Sequence, residues 1–284
     1  MRVFTLTALA ILAFAGNSLL TRWALADADI GAAEFVGLRL LSGAVMLALL
    51  TLRHPATILP RPAILPGPAD LGGIMALLIY GEAFTFAYLS LGAATGALIL
   101  FATVQLTLAA IATLRGTPPS GRDRIGLLIA FAGMAWLLAP GATTPPLFPA
   151  LLMGLAGIAW GVYTMLGRGA ADPFARTARN FIGAAPVALL ILLVVPLSAP
   201  TRDGVLLAIA SGAITSGLGY VIWYAVLPDL KVATAGAAQL LVPVVAAAGG
   251  ILWLGESLSL KLAAVTIVIL GGIWLTTGNP KKTG

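Results

Sequence analysis

The chain has 284 residues, of which 60% are hydrophobic and only 9% are charged. A soluble domain carries about 25% charged residues, so this composition excludes a water-soluble globular protein and indicates one embedded in a lipid bilayer. The net charge of +6 comes from basic residues dispersed at helix ends, which favours contact with an anionic leaflet over binding of nucleic acid. The absence of cysteine excludes disulfides and thiolate metal sites.

Ten apolar runs follow one another along the chain, and each approaches the ~20 residues that a helix needs to cross the hydrocarbon core. They cover residues 3–21, 32–52, 71–90, 93–114, 124–140, 147–167, 177–197, 204–227, 232–254 and 259–277. The first run resembles a secretory signal peptide, but its counterpart in the second half of the chain indicates a retained helix. Because so few residues separate the third run from the fourth, we expect those two helices to pack as a tight hairpin.

An internal duplication organises these runs. Residues 89–137 resemble residues 227–275 without a gap, and both segments end in Gly-x-x-Trp-Leu, beginning at Gly133 and at Gly271. Earlier in the chain, Arg39 and its neighbours correspond to Arg179 and its neighbours. The sequence therefore predicts an all-α membrane protein with ten transmembrane helices in two five-helix repeats, residues 1–141 and 146–279.

The distribution of basic residues predicts the orientation. With the N-terminus in the cytoplasm, twelve of the 16 Lys and Arg residues fall on the cytoplasmic side, and only Arg22, Arg202 and Lys261 fall outside. This bias predicts that both termini are cytoplasmic. Five helices cross the membrane an odd number of times, so the second repeat is inverted relative to the first, an architecture that provides for alternating access. The remaining basic residue, Arg39, lies within the second helix, and we expect its side chain to snorkel outward.

Several landmarks resemble one transporter superfamily over nearly the whole chain. They are Leu-Trp-Leu-Gly-Glu at residues 252–256, Val-Pro at 242–243 and Trp-Gly at 160–161. With the ten-helix inverted repeat, they resemble the drug/metabolite transporter superfamily and its EamA-type exporters, most closely the bacterial aromatic amino acid exporters. The first half departs from the pattern, with Val-Gln at 104–105 and Arg-Gly-Thr at 115–117 where Val-Pro and Gly-Glu are usual. The resemblance implies a bacterial inner-membrane exporter, which we expect to act as a monomer.

Polar and aromatic residues in the middle of helices are the candidate binding residues, since polar groups in the bilayer core are costly without partners or a water-filled cavity. The duplication strengthens some of them, because Glu82 and Phe86 correspond to Tyr220 and Tyr224, and Phe101 corresponds to Gln239. We therefore predict a substrate site between the two halves, formed by Asn17, Tyr80, Glu82, Phe86, Phe101, Gln105, Trp160, Tyr163, Tyr220, Tyr224 and Gln239.

Other interpretations of these residues stay open at this point. Gln105 and Gln239 are also suited to hydrogen bonding across helices as packing residues. Glu82, near the middle of the third helix, is suited to carrying a proton, to binding a substrate ammonium group or to a structural role. Trp136 and Trp274 lie near helix ends, where interfacial aromatic residues are common.

The inverted repeat favours a secondary transporter that exports amino acids with aromatic or large apolar side chains. Export of lipophilic organic cations, drugs or other small metabolites is the alternative. An intramembrane enzyme would need a His, Ser–Lys or paired-carboxylate constellation, and a channel would need a continuous polar stripe; the sequence offers neither. It also has no phosphate-binding Gly-Lys loop and no cluster of metal-ligating residues, so we expect neither an enzyme nor a cofactor.

Overall fold

A computed structural model describes residues 2–53, 65–141, 144–168, 170, 172–195, 198–230 and 238–277. The described residues form ten helices: α1 Arg2–Asp27, α2 Ala32–Arg53, α3 Leu71–Ala87, α4 Ala93–Leu114, α5 Gly121–Leu138, α6 Leu147–Gly167, α7 Pro173–Val194, α8 Arg202–Asp229, α9 Leu241–Leu254 and α10 Leu260–Thr277. Seven of them are long and apolar enough to cross a membrane, and α9 and α10 are shorter apolar helices. The all-helical membrane fold predicted from the sequence is confirmed.

Local sequence signals define several helix ends. The Ser120 hydroxyl accepts a hydrogen bond from the Asp123 amide at 3.3 Å, and the Asp123 carboxylate accepts one from the Ser120 amide at 2.8 Å, which caps α5. Asp172 caps α7 by accepting from the Ala175 amide at 2.9 Å. At the C-terminal end of α9, Gly255 has φ 62°, a left-handed conformation that glycine adopts without strain.

The connections between helices fall on two faces, as in a chain that crosses a membrane repeatedly. We call the face with the start of α1 the N-terminal face and the other one the far face. The far face joins the α1–α2 and α7–α8 connections, where the Glu34 carboxylate accepts hydrogen bonds from Ser198 and from the Gly31 amide. On the same face, Lys261 Nζ donates a hydrogen bond to the Ala139 carbonyl at 2.9 Å. The described connections are thus consistent with alternating helix directions.

The packing of the two halves is symmetric when α1–α5 are exchanged with α6–α10. The contact of α3 with α6 has its counterpart in α8 with α1, and that of α4 with α6 in α9 with α1. The contacts of α2 with α7 and of α5 with α10 are their own counterparts. This exchange symmetry agrees with the inverted repeat and packs α1 and α6 each against helices of the opposite half.

The predicted hairpin of α3 and α4 is wrong. Helix α6 of the second half packs against both of them, so α3 and α4 are not each other's main neighbours. Gly157 and Gly161 of α6 allow its close approach to α4, because a Cβ on Gly157 would lie 2.8 Å from the Leu100 carbonyl and one on Gly161 2.9 Å from the Thr107 Cβ. The short connection limits the separation of the helix ends, but these glycines decide the neighbours.

Helix α1 is longer than its predicted span and ends at Asp27 instead of residue 21. The extension carries Arg22 to the far face, where its Nη1 donates to the Tyr88 carbonyl at 3.1 Å. Ala24, just after the run that resembles a signal peptide, is fully buried in this helix. Lys231, Lys281, Lys282 and Arg61, four of the basic residues used to predict the orientation, lie outside the described residues.

Candidate functional site

An aromatic cluster lies where the two halves meet, centred on Trp160 of α6. Its ring centroid is 4.6 Å from that of Tyr220, 5.1 Å from Tyr80, 5.5 Å from Tyr163 and 5.7 Å from Phe14. All five side chains are buried. Since α1 and α3 belong to the first half and α6 and α8 to the second, movement between the halves must disturb this cluster.

The space enclosed by the cluster is small. It measures about 10 Å³, near the minimum that holds one water molecule. Five helices line it through Phe14, Asn17, Tyr80, Phe84, Leu100, Phe101, Trp160 and Tyr220. The structure therefore represents a conformation closed at its centre, and a substrate can enter only if these side chains move apart.

Asn17 is the polar centre of this cavity. Its Nδ2 donates to the Tyr80 hydroxyl at 3.1 Å, and its Oδ1 accepts from Ser211 at 2.7 Å and from Thr215 at 3.3 Å. The side chain is buried and links α1 to α3 and α8. Because the partners of this buried amide come from both halves, its hydrogen bonds depend on the relative position of the halves.

Ser211 and Thr215, which donate to Asn17, lie in a π-helical segment of α8, residues Ser211–Leu218. This segment is rich in small residues, and Gly212 packs directly on the backbone carbonyl of Arg39, so a Cβ at this position would clash with α2. The close approach positions Ser216 beside the Arg39 side chain. Wide π-helical turns are common at functional sites, where they redirect side chains without ending a helix.

Arg39 points into the protein, so the expected outward snorkelling is wrong. Its side chain is 2% exposed. Its Nε donates to the Ser216 hydroxyl at 3.1 Å and its Nη2 to the Tyr220 hydroxyl at 3.4 Å. The guanidinium carbon lies 5.3 Å from the Tyr80 ring centroid and 5.0 Å from that of Phe84. Outward snorkelling would forgo these hydroxyl and cation–π contacts, which stabilise the charge where no bulk water reaches it.

A second cluster extends from Trp160 towards the N-terminal face. The Tyr163 hydroxyl accepts a hydrogen bond from Asn180 Nδ2 at 3.3 Å, and the Tyr224 hydroxyl donates to the Tyr163 carbonyl at 3.4 Å. The two tyrosine rings are 6.1 Å apart. A further cavity of about 10 Å³ lies beside them and is also lined by Arg176. The stacked rings of Trp160 and Tyr163 connect the two clusters.

The structure brings most of the predicted binding residues together in these two clusters. Asn17, Tyr80, Phe101, Trp160 and Tyr220 line the central cavity, and Tyr163 and Tyr224 line the second one. These positions agree with the predicted site between the halves. Substrate binding by them is a prediction that their positions alone do not test.

The remaining four predicted residues do not line the central cavity. Phe86 is 39% exposed and faces the outside of the bundle. Glu82 is partly buried, within electrostatic range of Arg39, and its Oε1 has no hydrogen-bond partner among the described residues. Within that same part of the chain, Gln105 Nε2 and Gln239 Oε1 are also buried without a partner, so the structure provides no support at these two atoms for the packing interpretation.

Sequence reasoning missed several residues of the site: Phe14, Arg39, Phe84, Ser211, Thr215 and Ser216. A charged residue inside a predicted transmembrane helix was itself a signal, because such residues usually face the interior of the bundle. The serines and Thr215 lie in a Gly-rich stretch of α8, a pattern typical of close helix contacts. Among the described residues, no group of three or more acidic or histidine side chains is placed to hold a metal ion.

Known proteins resemble this chain in sequence and in fold. The sequence model of the EamA-like transporter family matches residues 147–278, which contain α6 to α10. The uncharacterized protein PA1977 of Pseudomonas aeruginosa is 49% identical over 278 residues, covering 96% of this chain and 94% of that protein. A solved crystal structure with 18% identity covers 96% of both chains with a TM-score of 0.69, which shows that the fold is shared.

Proposed function

Because this chain belongs to the EamA-like transporter family of the drug/metabolite transporter superfamily, we propose that it exports amino acids with aromatic or large apolar side chains by alternating access. The family consists of multi-pass membrane transporters of small substrates, and the substrate class is the part that is proposed. The route would pass through the aromatic cluster around Trp160. Each state would open this cluster to one face of the membrane by moving one half against the other.

The observation that carries this proposal is the composition of the closed centre. Rings from both halves surround Asn17 and Arg39, so apolar and polar recognition coincide at one point. Aromatic rings stack favourably on other rings and on aliphatic chains. A site of this kind discriminates mainly by apolar area, at about 0.8 kcal/mol per methylene group, so selectivity among large apolar amino acids should be loose.

Export of other compounds by the same fold is the alternative. Arg39 argues against lipophilic organic cations, because its charge is held within the cluster that such a cation would have to enter. Neutral metabolites meet no such repulsion. A substrate panel therefore needs all three classes of compound.

Transport by purified protein in liposomes tests the proposal. We expect uptake of radiolabelled phenylalanine, tryptophan and leucine above protein-free liposomes, and little uptake of serine or of tetraphenylphosphonium. Transport of the organic cation without any of the three amino acids would contradict the proposed substrate class.

A pair of tryptophan variants identifies the route. Trp160→Leu removes the centre of the cluster and should reduce phenylalanine transport about tenfold, which corresponds to 1.4 kcal/mol. Trp136 is 46% exposed near the end of α5, and Trp136→Leu should leave transport unchanged. Equal effects of both substitutions, at equal amounts of folded protein, would exclude the cluster as the site.

A further inference from the structure

Arg39 holds a positive charge that the described residues do not pair. The two ion pairs among the described residues are Arg22 with Glu256 and Arg179 with Asp70, and neither involves Arg39. The groups that contact its guanidinium, Ser216, Tyr220 and the rings of α3, are all neutral. An arginine stays protonated in proteins, so the charge persists in every conformation.

The guanidinium also has unused hydrogen-bonding capacity. Nη1 is buried and has no hydrogen-bond partner among the described residues. Buried donors of this kind are rare in folded proteins, and each one calls for an explanation. Tyr80 and Phe84, whose rings contact this guanidinium, both line the central cavity, so Arg39 lies one side chain away from the proposed substrate site.

Glu82 does not neutralise Arg39 directly. The two charges interact electrostatically, yet they form no ion pair within 4.0 Å, and a carboxylate oxygen of Glu82 is itself without a partner among the described residues. An acidic and a basic group held apart in this way are suited to bind the two opposite charges of one molecule, once the side chains of the closed centre move apart.

We propose that Arg39 binds the carboxylate of the transported substrate through Nη1, while Ser216 and Tyr220 fix the orientation of its guanidinium. The planar guanidinium matches a carboxylate better than lysine does, because it presents several N–H donors in one plane. The inference rests on the proposed function in taking the aromatic cluster as the substrate site. It adds that the carboxylate is the group that is recognised, and that analogues without a carboxylate are excluded.

The wild-type protein allows the first test, because substrate analogues separate the two charges. In proteoliposomes, phenylalanine should be transported, while phenylalaninamide and phenethylamine, which lack a carboxylate, should be transported at least tenfold more slowly. 3-Phenylpropionate, which keeps the carboxylate and lacks the ammonium group, should inhibit phenylalanine uptake. Equal transport of phenylalanine and phenylalaninamide would overturn the inference and leave the proposed function intact.

Variants of Arg39 provide the second test. Arg39→Gln should raise the KM for phenylalanine at least tenfold and remove the preference over phenylalaninamide, whereas Arg39→Lys should keep part of that preference. Arg122→Gln, at an exposed arginine of α5, is the matched control and should behave as wild type. Folded Arg39→Gln protein with wild-type KM and preference would contradict the inference.

The two proposals fail in distinguishable ways. If no amino acid is transported but 3-phenylpropionate is, with dependence on Arg39, the carboxylate site stands and the amino acid substrate does not. If Arg39→Gln does not fold, the analogue series on the wild-type protein and the Arg39→Lys variant still decide, because both retain the charge.

Discussion

Glu82 occupies an unusual position for a carboxylate within a membrane helix. One of its oxygens is buried and lacks a partner among the described residues, and Arg39 is its electrostatic neighbour. If Arg39 binds a substrate carboxylate, Glu82 is the acidic side chain suited to the ammonium group of the same molecule. A proton-carrying role and a structural role are the alternatives.

The substitution Glu82→Gln separates these roles, because it keeps size and hydrogen bonding and removes the charge. We expect phenylalanine transport to fall about tenfold, or 1.4 kcal/mol, while inhibition by 3-phenylpropionate is kept. Transport assays with and without a pH gradient provide the measurement. Loss of gradient-driven accumulation with intact exchange would instead indicate a proton carrier, and wild-type behaviour in both assays would leave only the structural role.

Residue type and mid-helix position were sufficient to predict much of the site. Asn17, Tyr80, Trp160 and Tyr220 could be found because polar and aromatic side chains in apolar helices are costly or unusual without a purpose. The position of the Arg39 side chain was predicted wrongly because a long, flexible arginine side chain can either snorkel outward or turn into the protein. Only the arrangement of α2 against Gly212 of α8 reveals which of the two occurs.

Two ion pairs connect helices of the two halves, one pair on each face. On the far face, Arg22 of α1 lies 3.4 Å from Glu256, whose carboxylate also accepts from the Ala93 amide at 2.9 Å. On the N-terminal face, Arg179 of α7 lies 3.0 Å from Asp70 at the start of α3. Each pair joins one half to the other, so each stabilises closure of its own face.

Breaking either ion pair should open one face selectively. Glu256→Gln keeps an acceptor for Ala93 and removes the charge, which weakens closure of the far face by about 1 kcal/mol, the difference between charged and neutral hydrogen bonds. Ser18 is buried on α1, four residues before Arg22, and Ser18→Cys reports on access from this face. In detergent, Glu256→Gln should raise the alkylation rate of this cysteine about fivefold.

The pair on the N-terminal face provides the matched control for this measurement. Asp70→Asn should leave alkylation of Ser18→Cys unchanged or slower, because it favours opening on the other side. Equal acceleration by Asp70→Asn and Glu256→Gln would indicate general loosening of the protein and would contradict the assignment of the pairs to separate faces.

Hydropathy predicted the helices more accurately than it predicted which helices pack against each other. The apolar runs predicted the spans because burial in lipid requires them, although α1 extends further through Arg22, which finds partners at the far face. The partner of each helix depends on small residues at contacts, such as Gly157 and Gly161. Their meaning depends on which helix approaches them, so the α3–α4 hairpin was predicted wrongly.

For the whole molecule, the exchange symmetry of the two halves supports the proposed alternating access. Exchange of the halves reproduces the pattern of helix contacts, so two conformations open to opposite faces can have similar packing. The boundaries of the repeats at residues 141 and 146 stay a prediction. The cytoplasmic location of the N-terminal face also stays a prediction, and it rests on the excess of Lys and Arg assigned to that side.

Counterflow in proteoliposomes tests the central claim most directly, namely that the two halves alternate around the closed aromatic cluster. Liposomes loaded with unlabelled phenylalanine are diluted into a trace of labelled phenylalanine, and internal label is followed with time. A carrier that alternates between faces should accumulate label transiently above its equilibrium level. Trp160→Leu should slow the appearance of this overshoot about tenfold, while Trp136→Leu keeps the wild-type rate. A monotonic approach to equilibrium in the wild-type protein, for every amino acid of the panel that it carries, would contradict alternating access.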